Sequence, residues 1–208
     1  MNKLLHIIAS PRGAASRTLG LASVFIETAK KQYPQVVIDE LNLFTEKLPD
    51  LFAETIKGKY LLMGGADSLP DELKPLWRDI ENHINRFLAA DTILISVPMW
   101  NFGIPYILKH YIDVIFQPRY LFKYTADGPV GLAAGRKMFV ITTRGGDYGP
   151  QSPFHSYDLQ EPYIRNAFGF VGISDIKFIN AQPMDAGGPD VMKQKFAEMS
   201  DEIRSLKL

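Results

Sequence analysis

The stretch Ser10-Pro11-Arg12-Gly13-Ala14-Ala15-Ser16-Arg17-Thr18 gathers three hydroxyls and two arginines just ahead of a helical repeat. The start of a helix leaves N–H groups unpaired and carries partial positive charge, so such a loop suits a phosphate. The dipole contributes only about 0.3–1 kcal/mol, up to ~2 when partly buried, so hydroxyls and N–H bonds must supply most of the grip. Ser16 reads equally well as a plain helix cap. A second stretch, Pro98-Met99-Trp100-Asn101-Phe102-Gly103, places three large apolar residues around one amide directly after an apolar run. That combination offers walls to a planar ring and an amide to its polar edge. The alternative is that Trp100 and Phe102 pack beneath the next helix. A third, Thr143-Arg144-Gly145-Gly146-Asp147, has a glycine pair that lets backbone approach a ligand with its N–H groups free. Donors there would stabilise negative charge gathering on a ring as it is reduced. Taken alone, a Gly-Gly pair is equally a simple turn.

These loops matter together only if the fold brings them together. Apolar runs of strand length alternate with segments of helical period, the pattern of a parallel sheet wrapped by helices. Strands are expected at Leu4 to Ala9, Val36 to Leu41, Thr92 to Val97, Lys137 to Thr143 and Ile173 to Ile179. Between them, helical stripes run through Leu19, Ala22, Ile26 and Ala29, and through Leu73, Trp77, Ile80, Ile84 and Phe87. Ser68 offers a cap for the latter helix. A short helix is expected around Ala53 to Leu62. Further helices are marked by Ile104, Leu108, Tyr111 and Ile115, by Glu161 to Phe170 with Asp158 as cap, and by Met192, Phe196, Met199 and Ile203. Leu121 to Tyr124 and the Asp127-Gly128-Pro129 turn suggest a hairpin. The expected fold class is therefore α/β, a doubly wound five-stranded parallel sheet with helices on both faces, in one domain spanning residues 1–208. In such sheets ligands bind beyond the carboxyl ends of the strands, where the strand order reverses, and that edge carries all three loops.

The composition narrows the chemistry. Lys plus Arg and Asp plus Glu number 23 each, so the 208-residue chain has no net charge to recommend nucleic acid or an anionic membrane as a partner. There is no cysteine, which removes disulfides, thiolate nucleophiles and Cys-ligated metal or iron–sulfur sites. His6, His83, His110 and His155 are spaced unlike a metal site, and none is expected. No apolar run reaches the length of a membrane span, so a soluble, cytoplasmic protein is expected. Neither G-x-G-x-x-G nor G-K-[ST] occurs in the first loop, which sets it apart from dinucleotide and P-loop sites.

With these motifs in place, the sequence resembles the FMN-dependent NADH azoreductase family, flavodoxin-like enzymes related to NAD(P)H:quinone oxidoreductases. The resemblance rests on Ser10…Ser16-Arg17-Thr18, on Val97-Pro98-Met99-Trp100-Asn101-Phe102 and on Phe122-Lys123-Tyr124-Thr125 with Gly128-Pro129. It continues through Thr143-Arg144-Gly145-Gly146 and Gln160-Glu161-Pro162-Tyr163-Ile164-Arg165. It implies FMN as cofactor, with phosphate contacts from Ser10, Ser16, Arg17 and Thr18. Met99, Trp100, Asn101 and Phe102 would meet the ring system, and Thr143, Arg144, Gly145 and Gly146 its pyrimidine side. It further implies a homodimer whose acceptor pocket draws on the second subunit, with Phe122, Tyr124 and Tyr148 as candidate pocket residues. Where relatives often place a histidine after Arg-Gly-Gly, this chain has Asp147-Tyr148.

The expected activity is transfer of two electrons from NADH or NADPH through FMN to quinones or aromatic azo compounds, by a ping-pong scheme with one shared pocket. No acid, base or nucleophile of the chain is singled out, because the cofactor would carry the chemistry. The rival is a flavodoxin-type electron carrier exchanging single electrons with protein partners; such carriers tend to be shorter and markedly acidic. A flavin-free regulator on the same fold is a third possibility.

Overall fold

In the computed structural model, which describes residues 1–66 and 68–208, three strands are buried on both faces: β1 (Lys3–Ile8), β3 (Thr92–Pro98) and β6 (Lys137–Thr143). Burial of both faces is why these segments read as unbroken apolar runs. They are flanked by β2 (Val37–Asn42) and β7 (Asp175–Ala181), giving a five-stranded sheet in the order β2-β1-β3-β6-β7. All four pairings are parallel. The expected sheet is present. Its order reverses between β1 and β3, which splays the chain apart at their carboxyl ends and opens a crevice there.

Successive side chains on a strand point to opposite faces, and each face has its own core. Leu4, Leu94 and Phe139 pack with Leu21 and Phe25 of α1 (Arg17–Gln32) and Ile203 of α6 (Gly188–Ser205). Leu5, Ile93 and Val140 pack on the other side. There they meet Trp77 and Phe87 of α3 (Lys74–Leu88), Tyr111 of α4 (Tyr106–Ile115) and Phe168 of α5 (Gln160–Phe170). Burying one such side chain contributes about 1.5–3 kcal/mol. The remaining helix, α2 (Ala53–Met63), is anchored through Gly58, where an added Cβ would lie 2.3 Å from the Trp77 ring nitrogen. Among the described residues no helix is long and apolar enough to cross a membrane, and no group of acidic or histidine side chains is placed to hold a metal ion.

The hairpin is also present, as β4 (Phe122–Thr125) paired antiparallel with β5 (Gly128–Gly131). Its open end packs so closely on the turn after α5 that a Cβ at Gly131 would lie 2.2 Å from backbone of Val171. Two local expectations change. α3 begins at Lys74 with Leu73 ahead of it, not at a Ser68 cap. The turn closed by Leu73 N on Pro70 O, at 2.9 Å, precedes the helix, and Pro75 occupies its first turn. The last strand starts at Asp175, not Ile173: Ile173 is fully buried but belongs to the turn after Gly172, whose φ is +98°.

Candidate functional site

Register brings the three loops level. Ile8 pairs with Ser96, and Pro98 with Thr143, so the chain leaves β1, β3 and β6 along one edge of the sheet. Ser10 and Ser16 close the first loop on itself, Oγ to Oγ at 2.8 Å. Ser16 also caps α1, its hydroxyl accepting Leu19 N–H at 3.3 Å. The capping reading and the ligand-loop reading thus coexist in one side chain. Thr18 reaches across to Thr143, Oγ1 to Oγ1 at 2.6 Å, joining the start of α1 to the end of β6.

Arg17 does not point freely into solvent. Its Nη1 donates to Met184 O at 2.9 Å and to Asp185 Oδ1 at 2.7 Å. A fourth loop, the one after β7, therefore belongs to the site. Asp185 N and Ala186 N both donate to Gly145 O, at 3.0 and 2.9 Å, which fastens that loop to the third.

Together these loops enclose a cleft of about 190 Å³. Of the residues singled out from sequence, Ser10, Ser16, Arg17, Thr18, Met99, Trp100, Thr143, Arg144 and Gly145 line it. Pro11, Arg12, Pro98, Met184 and Asp185 line it too. We call the part formed by Ser10 to Thr18 and Thr143 to Gly145 its inner end. Gly145 borders the cleft, and the atoms nearest a Cβ added there belong to the Asp185 side chain, Oδ2 at 3.0 Å.

The outer end is the turn after β3. Trp100 and Gly103 exchange two backbone hydrogen bonds, both 3.0 Å, and pinch Asn101 and Phe102 into a two-residue turn. Both have left-handed backbone, φ +46° and +72°. Asparagine tolerates that region; phenylalanine there is strained by about 1–3 kcal/mol. Trp100 remains 37 % exposed, with the Phe44 ring 6.2 Å from its own. Asn101 and Phe102 stand on the rim and not on the cleft lining. Phe102 faces Tyr157 at 5.3 Å and Tyr148 at 6.4 Å.

Arg144 departs most from expectation. Its backbone borders the cleft, but its guanidinium turns inward and is 1 % exposed, paired with Asp158 Oδ2 at 2.8 Å and donating to Gln160 Oε1 at 3.2 Å. Asp158 meanwhile caps α5 as expected, its Oδ1 accepting the N–H groups of Gln160 and Glu161 at 3.0 Å each. Gly146 lies beyond the lining. Phe122 is buried against Phe170 at 5.0 Å, and Tyr124 stands exposed on the hairpin; neither lines the cleft of its own chain. Tyr148 lines a neighbouring hollow of about 430 Å³ with Gly149, His155 and Gln182. His155 donates through Nδ1 to Tyr148 O at 2.9 Å.

Beneath the cleft, His6 of β1 meets Ser96 of β3, Nε2 to Oγ at 2.7 Å. Burial pushes its pKa down to about 4, so the imidazole is neutral near pH 7. Glu40 Oε1 lies 3.9 Å from Nδ1, but it is largely exposed and too far to offset the lost hydration.

The order of the sheet, and a crevice at its reversal bounded by a helix start and a glycine loop, define a flavodoxin-like protein. Residues 2–206 match the family described as having a flavodoxin-like fold, and the chain belongs to it. A curated FMN-dependent NADH:quinone oxidoreductase of Nitratidesulfovibrio vulgaris (strain DP4) is 35 % identical over 208 residues, covering 100 % of this chain and 99 % of that protein. A protein of the same name from Nostoc punctiforme is 36 % identical over 204 residues, 98 % of this chain and 97 % of that one. Among solved structures, the FMN-dependent NADH-azoreductase from Bacillus anthracis str. Ames Ancestor in complex with FMN superposes with a TM-score of 0.84 at 29 % identity, covering 98 % of each chain. The resemblance read from the sequence motifs is upheld.

Proposed function

We propose that this chain, as one domain spanning residues 1–208, holds FMN in the cleft and uses NADH to reduce quinones and aromatic azo compounds. The observation that carries the reading is the convergence of three unlike surfaces on one crevice: a helix start with paired hydroxyls, a glycine backbone on the cleft lining, and a partly exposed indole. The donor set fits the cofactor. Ser10, Ser16 and Thr18 with the first N–H groups of α1 suit the phosphate, and Arg12 adds positive charge, that of Arg17 being offset by its pair with Asp185. Trp100 offers a flat face to the ring, and the Gly145 backbone leaves room for its polar edge. The name and the bound FMN of the Bacillus anthracis azoreductase, and the names of the curated relatives, support the same assignment.

Bound FMN supplies the acceptance of a hydride from the nicotinamide and the delivery of two electrons to the acceptor. The chain binds, orients and stabilises. Trp100 and Met99 present an apolar wall against which a flat substrate can lie, and Phe102, Tyr148 and Tyr157 form an aromatic rim beside it. Backbone N–H groups near Gly145 would hold the polar edge of the ring system and would stabilise negative charge gathered there on reduction.

One crevice leaves room for one flat partner at a time, so donor and acceptor alternate. Initial rates with NADH varied at several fixed quinone concentrations should give parallel double-reciprocal lines. Intersecting lines would mean simultaneous binding, and the shared-pocket scheme would fall. An electron carrier of the flavodoxin type would instead oxidise NADH slowly or not at all without a separate reductase.

A homodimer is part of the proposal. Tyr111 and Ile112 of α4 are buried within the chain and offer no surface to a partner. Among the uncovered apolar side chains are Tyr106, Phe154, Tyr157 and Leu159, each more than half exposed, with Tyr124 on the hairpin. Apolar surface of this kind suits a twofold partner. Sedimentation should show a dimer at micromolar concentration; a fully active monomer would rule it out. A cytoplasmic location, where NADH is available, completes the proposal and is checked by cell fractionation.

A further inference from the structure

A buried charge is out of place in the wall of a cleft unless its position matters. Arg144 sits between Thr143 and Gly145, which both border the cleft, yet its side chain turns away and is almost wholly buried with Asp158. A buried ion pair is often no more stabilising than apolar side chains of the same volume. Hydrogen bonds, however, fix direction and distance where apolar contacts can slide.

The partners of this pair show what is being fixed. Gln160 is fully buried and uses both ends of its amide: Oε1 accepts from Arg144 Nε at 3.2 Å, and Nε2 donates to Pro98 O at 3.0 Å. Pro98 is the last residue of β3, with only Met99 between it and the Trp100 turn. The residue before Gln160 completes the set, Leu159 N donating to Phe102 O at 3.0 Å. Consecutive residues at the start of α5 therefore hold the beginning and the far side of the turn after β3. Through Arg144 the same segment holds the glycine loop after β6.

We propose that Arg144, Asp158 and Gln160 are positioning residues, a buried clamp by which the start of α5 sets the gap between the two walls of the cleft. The inference rests on the reading of that cleft as the seat of a flat cofactor, and it names what keeps the seat at the right width. The strand ends already meet, Met99 N donating to Thr143 O at 3.0 Å, and Asp185 and Ala186 fasten Gly145; what the clamp adds is a tie between the two loops beyond those bonds.

Amide hydrogen exchange on the full chain tests the clamp directly. Gln160→Met keeps the length of the side chain and removes both hydrogen bonds. Exchange should speed up in residues 99–103 and 145–148 together, while β1 stays protected; no change, or a change in one loop alone, would overturn the proposal. Gln160→Glu still accepts from Arg144 but has no proton for Pro98 O, so it should loosen 99–103 and spare 145–148. This second variant carries the test if the first fails to fold, and loosening of both loops or of neither would overturn it. FMN titration adds a reading that general instability would not move: among folded molecules, Gln160→Met should bind FMN about tenfold more weakly, the loss of one net hydrogen bond's worth of alignment. Equal affinity would overturn the clamp. A wild-type chain that takes up no FMN would instead defeat the reading of the cleft, and the exchange result would still decide whether the two loops are held as one.

Discussion

At the inner end of the cleft the hydroxyls are paired among themselves, Ser10 with Ser16 and Thr18 with Thr143, and the first three are buried. At the outer end Asn101 and Phe102 stand exposed on left-handed backbone, beside an indole with one face open to solvent. The inner end is satisfied before any ligand arrives, so a phosphate there meets groups already in place and little ordering remains to be done. The outer end holds strain and bare aromatic surface, which is what a site of exchange between two flat substrates requires. On the proposed reading, binding and turnover fall to different ends of one crevice, and substitutions should separate them.

The largest effect should strike both ends alike, because His6 and Ser96 tie the strands from which the two ends hang. Burial holds the folded pKa of His6 at about 4, below the unfolded value of 6.5. The unfolded chain therefore takes up a proton first as pH falls. Stability is full above pH 6.5 and is lost progressively down to pH 4, by about 3 kcal/mol in all. Denaturant midpoints of wild type and His6→Gln across this window should diverge by that amount. Parallel curves would show that His6 is not held neutral by burial.

Gly145→Val addresses the inner end alone. The backbone at Gly145 is not left-handed, and the atoms nearest an added Cβ belong to the end of the Asp185 side chain and not to backbone, so the apoprotein should tolerate valine. The added methyls would narrow the cleft that Gly145 and Asp185 both line. FMN affinity should fall by about a hundredfold, roughly 2.7 kcal/mol, with the thermal midpoint of the apoprotein shifted by only a few degrees. A folded variant with unchanged affinity would show that this loop is only a turn.

What could be read from sequence follows from burial. Thr92 to Val97 and Lys137 to Thr143 announce themselves because both faces of those strands are buried, whereas β7, an edge strand, buries little and lost its boundary to the apolar Ile173. Ser16 and Asp158 were legible because caps are local. Ser68 had the same local signal and misled, since Pro70 and Leu73 build a turn before the helix. Most of the cleft lining was visible as three odd loops. Met184 and Asp185 were missed although their loop leaves the same edge of the sheet after β7, a signal that strand order supplies once β7 is placed beside β6. The clamp was hidden more deeply: Gln160 joins Arg144 to Pro98 across 16 and 62 residues of sequence, and nothing in residue type says that a side chain beside a glycine pair turns inward.

The smallest effect isolates the strain at the outer end. At an ordinary exposed position alanine is more stabilising than glycine by about 0.5–1 kcal/mol, because glycine loses more freedom on folding. At residue 102 the order should invert. Phe102→Ala and Phe102→Gly both remove the ring and its contact with Tyr157, so that loss cancels between them. What differs is the backbone: at φ +72° alanine retains a left-handed penalty of about 1–2 kcal/mol and glycine has none. The glycine variant should therefore be the more stable by about 0.5–1 kcal/mol in denaturant unfolding, after its own entropy cost is subtracted. Both should bind FMN nearly as wild type, because Phe102 lies on the rim and not among the residues lining the cleft. Both should turn over quinone more slowly, by up to about tenfold, if the ring helps hold an incoming flat substrate. Alanine proving the more stable would mean that the turn relaxes when the ring is gone. The strain would then belong to the aromatic packing of Phe102 with Tyr148 and Tyr157, and the contrast between the two ends would rest on exposure alone.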